Sequence, residues 1–110
     1  LTCSFSGRLM GEIAESLAVA EDITRVAQDE YAHESHRRAL ASMERGDFRD
    51  EIVPVTVRQR SGEQLVTNDE GPRADSTFER LSQLRPMFAG TSGTGSVTAG
   101  NASMISDGAA

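Results

Sequence analysis

Thr24-Arg25-Val26-Ala27-Gln28-Asp29-Glu30-Tyr31-Ala32 opens the stretch on which the architecture turns, and the chain then runs without glycine or proline to Gly46. Thr24 is a good N-cap, because its hydroxyl can accept from a free amide of the first helical turn. Gly46 is the residue type that closes a helix in the left-handed conformation. The interval predicts one long helix. Asp29 and Glu30 fall in its early turns and Arg37, Arg38 and Arg45 in its later ones, the charge order that the helix dipole favours. Its expected inward stripe is Ala27, Tyr31, Ala32, Ser35, Ala39 and Met43, mostly small side chains that allow close packing but bury little area.

On the N-terminal side, Met10, Ile13, Ala14, Leu17 and Ala18 recur with the period of an amphipathic helix, with Glu12 and Glu15 near its start. On the C-terminal side, the β-branched run Glu51-Ile52-Val53-Pro54-Val55-Thr56-Val57 predicts an edge strand, since Pro54 cannot donate to a ladder. Arg60-Ser61-Gly62-Glu63 reads as a turn and Gln64 to Thr67 as the returning strand, which makes a short hairpin. A third helix is expected from the capping box Ser76-Thr77-Phe78-Glu79, with Phe78, Leu81 and Leu84 on one side and a stop at Arg85-Pro86. Gly90 to Ser96 reads as a flexible linker. Small residues fill most of 97–110, which suits either a backbone that approaches a ligand closely or a tight loop entering a buried strand.

Composition bounds what such a chain does. It has 110 residues, of which Ile, Leu, Val and Phe make up 20%, a thin supply for a core. Cys3 has no partner, so a disulfide scaffold is excluded, and no apolar run approaches a membrane span. The formal charge of −6 argues against nucleic acid and anionic membrane as partners. All 11 cations are Arg, whose planar fork pairs with phosphates better than an ammonium does. The chain starts at Leu1 and ends at Asp107-Gly108-Ala109-Ala110 without a stop signal, so a piece of a longer protein is expected.

The local motifs have plain structural readings. Glu30 and His33 have the Glu-x-x-His spacing of di-iron bundles, but the second copy is missing and solvated helix surface is the expectation, with no metal. Cys3 has no evident basic partner or helix start to activate it. Gly90 to Ser96 lacks the Gly-Lys-Ser/Thr ending of a phosphate loop. Asn101-Ala102-Ser103 fits a glycosylation sequon, yet an unpaired Cys speaks against secretion, and a cytoplasmic location is expected.

Several short motifs, taken in order, do more. Ser6-Gly7-Arg8-Leu9-Met10-Gly11-Glu12-Ile13-Ala14-Glu15 is followed by Ile23-Thr24-Arg25, Gln28-Asp29-Glu30-Tyr31-Ala32, Ser35-His36-Arg37-Arg38-Ala39 and Asp50-Glu51-Ile52-Val53-Pro54-Val55. Asp69-Glu70-Gly71-Pro72-Arg73, Leu84-Arg85-Pro86-Met87-Phe88 and Val97-Thr98-Ala99-Gly100-Asn101-Ala102-Ser103 complete the series. In this order and spacing, from about residue 5 to residue 110, the chain resembles the thiolase superfamily.

The resemblance implies an α/β fold class: a fragment of the layered thiolase fold, mainly a helical loop domain with a short β-hairpin. It implies a coenzyme A-binding loop domain over 1–96, incomplete at its start, and a return into the N-terminal core over 97–110. It further implies an acetyl-CoA or 3-ketoacyl-CoA acyltransferase working through a Cys acyl-enzyme, with the coenzyme A thioester as substrate and no permanently bound cofactor. The complete protein would be a homodimer or homotetramer. The family's nucleophilic Cys lies before this stretch, and its Asn-Glu-Ala-Phe, Gly-His-Pro and second Cys motifs lie after it. None occurs here, and Cys3 does not match the nucleophile's surroundings, so no catalytic residue is expected in the chain.

Carried over residue by residue, the resemblance places Met10 on the pantetheine tunnel, Arg73 against the adenine nucleotide, and Ala99 and Ser103 beside the pantetheine arm. Three positions depart from the pattern: Leu9 replaces a frequent His, Arg80 a coenzyme A-contacting Ser, and Met104 the Gly that usually follows Ser. Arg80 can reach a phosphate, and Met104 can narrow the tunnel. Two rivals remain at this point: a thiolase-like protein that binds acyl- or sterol-CoA without condensing it, and a small helical interaction module.

Overall fold

A computed structural model describes residues 2–88 and 94–106. Five elements follow in order: α1 (Met10–Ala20), α2 (Arg25–Arg45), β1 (Val55–Gln59), β2 (Gly62–Val66) and α3 (Phe78–Ser82). Helix α1 starts where the Glu12 carboxylate accepts from the Leu9 amide at 3.0 Å, and Arg8 ties its first turns by donating to the Glu12 carbonyl and the Ser16 hydroxyl. Its predicted stripe is real but mostly uncovered: Ala18 is buried, whereas Met10 and Leu17 are half-exposed along an open groove.

Both predicted caps of α2 are formed. Thr24 Oγ1 accepts from the Ala27 amide at 3.2 Å, and Gly46 adopts φ 79°, so the amides of Gly46 and Asp47 turn back to the Met43 and Ser42 carbonyls. The expected inward stripe needs correction. Ala32 is buried and Ala39 and Met43 are half-buried, but Ala27 and Ser35 are exposed and Tyr31 is 80% exposed. The face turned to the rest of the chain is polar instead, carrying Arg25, Gln28, Asp29, His33 and His36 around Ala32. Asp29, expected to act through the helix dipole, is a buried ion-pair partner. The outer face holds Glu34 against Arg37 and Arg38, whose hydrogen bonds lower its carboxyl to about 2.

The hairpin is antiparallel with Val55 opposite Val66 and Gln59 opposite Gly62. Its turn is therefore Arg60-Ser61 alone, two residues shorter than expected, because Gly62 at φ 127° takes a pairing position. Pro54 precedes β1 without entering the ladder. Helix α3 is capped by Thr77, not Ser76: Thr77 Oγ1 accepts from the Arg80 amide, while the Ser76 carbonyl meets His33 Nδ1 at 2.9 Å. It also ends at Ser82, short of Arg85-Pro86, with Arg25 covering the carbonyls of Leu81 and Leu84.

Among the described residues the buried apolar set is Ala18, Ala32, Leu81 and Val97, so the thin core expected from composition is thin in fact. At its centre are two polar side chains, Asp29 at 1% exposure and Thr98 at 0%. Asp29 accepts from Arg25 Nε at 2.7 Å and from Asn101 Nδ2 at 2.9 Å. Asn101 also donates to the Ser96 carbonyl and accepts from the Thr98 amide, and Thr98 Oγ1 accepts from the amides of Gly100 and Asn101. From α1, the Glu15 carboxylate receives the Ser96 amide and hydroxyl and the Val97 amide at 2.7–2.9 Å. These bonds fix the 96–101 turn as a tight loop; the linker expected over 90–96 falls largely outside the described residues, as does 107–110.

Close approach between α3 and this turn depends on Gly100, where a Cβ would meet Leu81 Cδ2 at 2.5 Å and Leu84 Cδ1 at 2.6 Å. Leu81→Ala is expected to cost about 2–5 kcal/mol. Gly100→Ala fills part of the space vacated, so urea unfolding of the double variant should show a cost below the sum of the singles by more than about 0.5 kcal/mol; additive costs would contradict this packing. Burial pushes the Glu15 carboxyl up, but bonds from the Val97 amide and from the Ser96 hydroxyl and amide outweigh it, with help from the Arg25 charge, and hold it below the ordinary range. Its contribution to stability is therefore complete above the ordinary glutamate value and lost as pH falls through the lowered one. Glu15→Gln should remove that part of the acid limb in melts recorded against pH, and an unchanged limb would refute the assignment.

Candidate functional site

The residues singled out from sequence separate into two adjoining cavities. Met10 and Ser103 line an apolar groove of about 640 Å³ between α1 and the chain after Val97, with Leu17, Phe88 and Ile105 on its walls. Arg73, Arg80 and Ala99 line a second, more polar cavity of about 700 Å³, together with His36, Asp75 and Met104. Ala102 belongs to both walls, so the 99–103 stretch is the partition along which the two meet. Phe88 closes on α1 at Gly11, where a Cβ would lie 2.1 Å from its ring, which explains the need for glycine there.

In the polar cavity one carboxylate organises two guanidinium groups. Arg73 Nε and Nη2 donate to the two oxygens of Asp75 at 3.0 Å each, and Arg80 Nη1 donates to Asp75 Oδ2 at 2.8 Å. The hydrogen bonds from Arg73 are the main reason Asp75 sits below the usual carboxylate range, and Asp75 in turn raises Arg73. Two cations and one anion leave the cluster positive on an acidic protein, with N–H groups aimed at one small anionic group. The backbone is steered there by Asp69, whose Oδ1 accepts from the Gly71 amide, and by His36, whose Nδ1 accepts from the Arg73 amide at 3.1 Å. That bond requires the neutral imidazole with its proton on Nε2.

Met104 lies over Gly71, where a Cβ would come 2.5 Å from its terminal methyl, and so narrows the polar cavity rather than the apolar groove. Leu9 lines the groove beside Met10. His33 is taken by the Ser76 carbonyl, and among the described residues no three His, Cys, Asp or Glu side chains converge as metal ligands do. The Asn101 amide is committed to Asp29 and Ser96. Cys3 lines neither cavity; hydrogen bonds from the Ser6 hydroxyl, then from the Ser6 and Phe5 amides, hold its thiol below the ordinary range, with no basic group among the causes.

Sequence reasoning missed Arg25, Glu15 and His36 as the groups that hold this site together. Arg25 and Asp29 did carry a signal, an opposite-charge pair one helical turn apart.

Comparison with known proteins bears on the whole chain. The family described as "Thiolase, N-terminal domain" matches residues 1–110. The acetyl-CoA acetyltransferase of Pseudomonas aeruginosa is 49% identical over 108 residues, covering 97% of this chain and 27% of that protein. The beta-ketothiolase BktB of Cupriavidus necator is 48% identical over 101 residues, covering 92% of this chain and 25% of that protein. Among solved structures, the Bacillus anthracis acetyl-CoA acetyltransferase superposes with a TM-score of 0.84 at 48% identity, covering 94% of this chain and 25% of that one. Human mitochondrial 3-ketoacyl-CoA thiolase superposes with a TM-score of 0.83 at 39% identity, covering 96% and 26%. The chain thus spans about a quarter of the length of the curated relatives it matches, and its α/β arrangement is part of their fold. It belongs to the thiolase family, as a segment of the N-terminal domain.

Proposed function

We propose that this chain is the coenzyme A-cradling part of an acyl-CoA C-acyltransferase that condenses acyl-CoA units or thiolytically cleaves 3-ketoacyl-CoA through a Cys acyl-enzyme. In this reading residues 1–96 are the loop domain and 97–110 the return to the core, and the reacting Cys and His groups belong to other parts of the protein. The observation that carries it is the meeting of a guanidinium-lined cavity with an apolar groove along Ala99–Ser103. Coenzyme A has the matching form: an anionic adenine nucleotide at one end and a thin, largely uncharged arm at the other. Arg73 and Arg80 suit the nucleotide phosphates, by exchange of the Asp75 carboxylate for a phosphate. Ala99 and Ser103 offer backbone and hydroxyl to the arm, and Met10 an adaptable apolar wall. The contribution to catalysis is positioning of the thioester. With this reading go a cytoplasmic homodimer or homotetramer and no resident cofactor.

Arg73→Ala in the complete protein is expected to weaken coenzyme A binding about tenfold, the loss of a charge-assisted bond, and Arg80→Ser by a smaller factor. Calorimetric titration reads both, and unchanged affinity in both would overturn the site. The 110 residues alone should show no thiolysis, so measurable turnover by them would refute the assignment of chemistry elsewhere. Binding of acyl-CoA by the complete protein without condensation or thiolysis would favour the rival non-condensing reading.

A further inference from the structure

We propose that Arg25, Asp29 and Asn101, two half-buried side chains around a buried carboxylate, form a positioning frame that sets the spacing between the two halves of the coenzyme A cradle. The inference rests on the coenzyme A reading above. Arg25 Nη2 donates to the Leu81 carbonyl at 2.7 Å, which also accepts from the Leu84 amide, and to the Leu84 carbonyl at 3.0 Å, just beyond the end of α3. Leu81 directly follows Arg80, so this end of the frame holds the element carrying a nucleotide-end cation. Arg25 Nε then meets Asp29, and Asp29 meets Asn101, which lies midway between Ala99 and Ser103.

The α3 end and the 96–101 turn also touch through Leu81, Leu84 and Gly100. That contact is apolar and non-directional, and beyond it one backbone bond runs from the Met87 amide to the Val97 carbonyl at 2.8 Å. The polar chain fixes the spacing more strictly, because each of its bonds is directional and a displaced Asp29 would be a buried charge without its donors. One cation, one anion and a neutral amide leave the frame with no net charge, so it orients without repelling or attracting the ligand. A ligand that spans both halves gains from their fixed spacing as linked sites do, whereas a ligand that fills one half gains nothing from it.

The test compares coenzyme A with two half-ligands, 3′,5′-adenosine diphosphate and pantetheine, on the complete protein. Arg25→Lys keeps the charge and loses the fan of donors. Asp29→Asn keeps an acceptor for Asn101 but sets an amide against Arg25, cutting the same link from the other side. Each folded variant is expected to bind coenzyme A about tenfold more weakly while the two half-ligands stay within about twofold of the unsubstituted protein. Undiminished coenzyme A affinity in either folded variant would overturn the frame. So would half-ligand affinities that fall in step with coenzyme A, the mark of a merely structural loss. Failure of the unsubstituted protein to bind coenzyme A would instead overturn the reading on which the frame rests.

Discussion

Asp29 is buried to 1% exposure between Arg25 and Asn101, and the placement of α3 and of the 96–101 turn against α2 follows from keeping that carboxylate paired. A buried charge without donors costs several kcal/mol or more, so the chain has to bring a cation and an amide to it. Arg25 comes from one turn earlier on the same helix and carries the end of α3 with it. Asn101 comes from far along the sequence and carries the 96–101 turn. The turn is then held from its other side by Glu15 of α1 through Ser96 and Val97. Three helices and one loop are joined in this way by directional bonds around a centre where a larger domain would have aliphatic side chains.

That arrangement gives the low apolar content a physical meaning. A helix pair that met through large apolar side chains would draw on the Ile, Leu, Val and Phe that make up only 20% of this chain, whereas a close-packed polar centre needs small neighbours, and Ala18, Ala32 and Gly100 are small. Much of the remaining apolar surface is not used within the chain. Met10, Leu17 and Ile105 face an open groove, and Val53, Val55 and Leu65 stay exposed on and beside the hairpin. The relatives are about four times as long, and in the proposed reading these faces meet the thioester arm and the rest of the protein.

Local signals made most elements legible in the sequence. The ends of α2 follow from Thr24 and Gly46, because capping is decided within a few residues, and the start of α1 follows from the period of Met10, Ile13, Ala14 and Leu17. Misplacements occur where a distant partner decides. The sequence points to Ser76 as the cap of α3, but His33, more than 40 positions away, engages the Ser76 carbonyl while Thr77 caps the helix. The inner face of α2 escaped notice because periodicity searches look for apolar side chains, and this face is polar. The site residues Met10, Arg73, Arg80, Ala99 and Ser103 came from family resemblance, but their division into two cavities that share Ala102 depends on tertiary packing.

In the proposed function one molecule of coenzyme A lies across the partition, with its nucleotide at the Asp75-bridged arginines and its arm along the groove of α1. A crystal structure of the complete protein soaked with coenzyme A tests this most directly. A phosphate is expected within hydrogen-bond distance of Arg73 or Arg80, with a pantetheine arm passing Ala99 and Ser103 to reach Met10. Coenzyme A bound in order elsewhere on the protein, with the Arg73–Asp75–Arg80 cluster and the groove untouched, would contradict it.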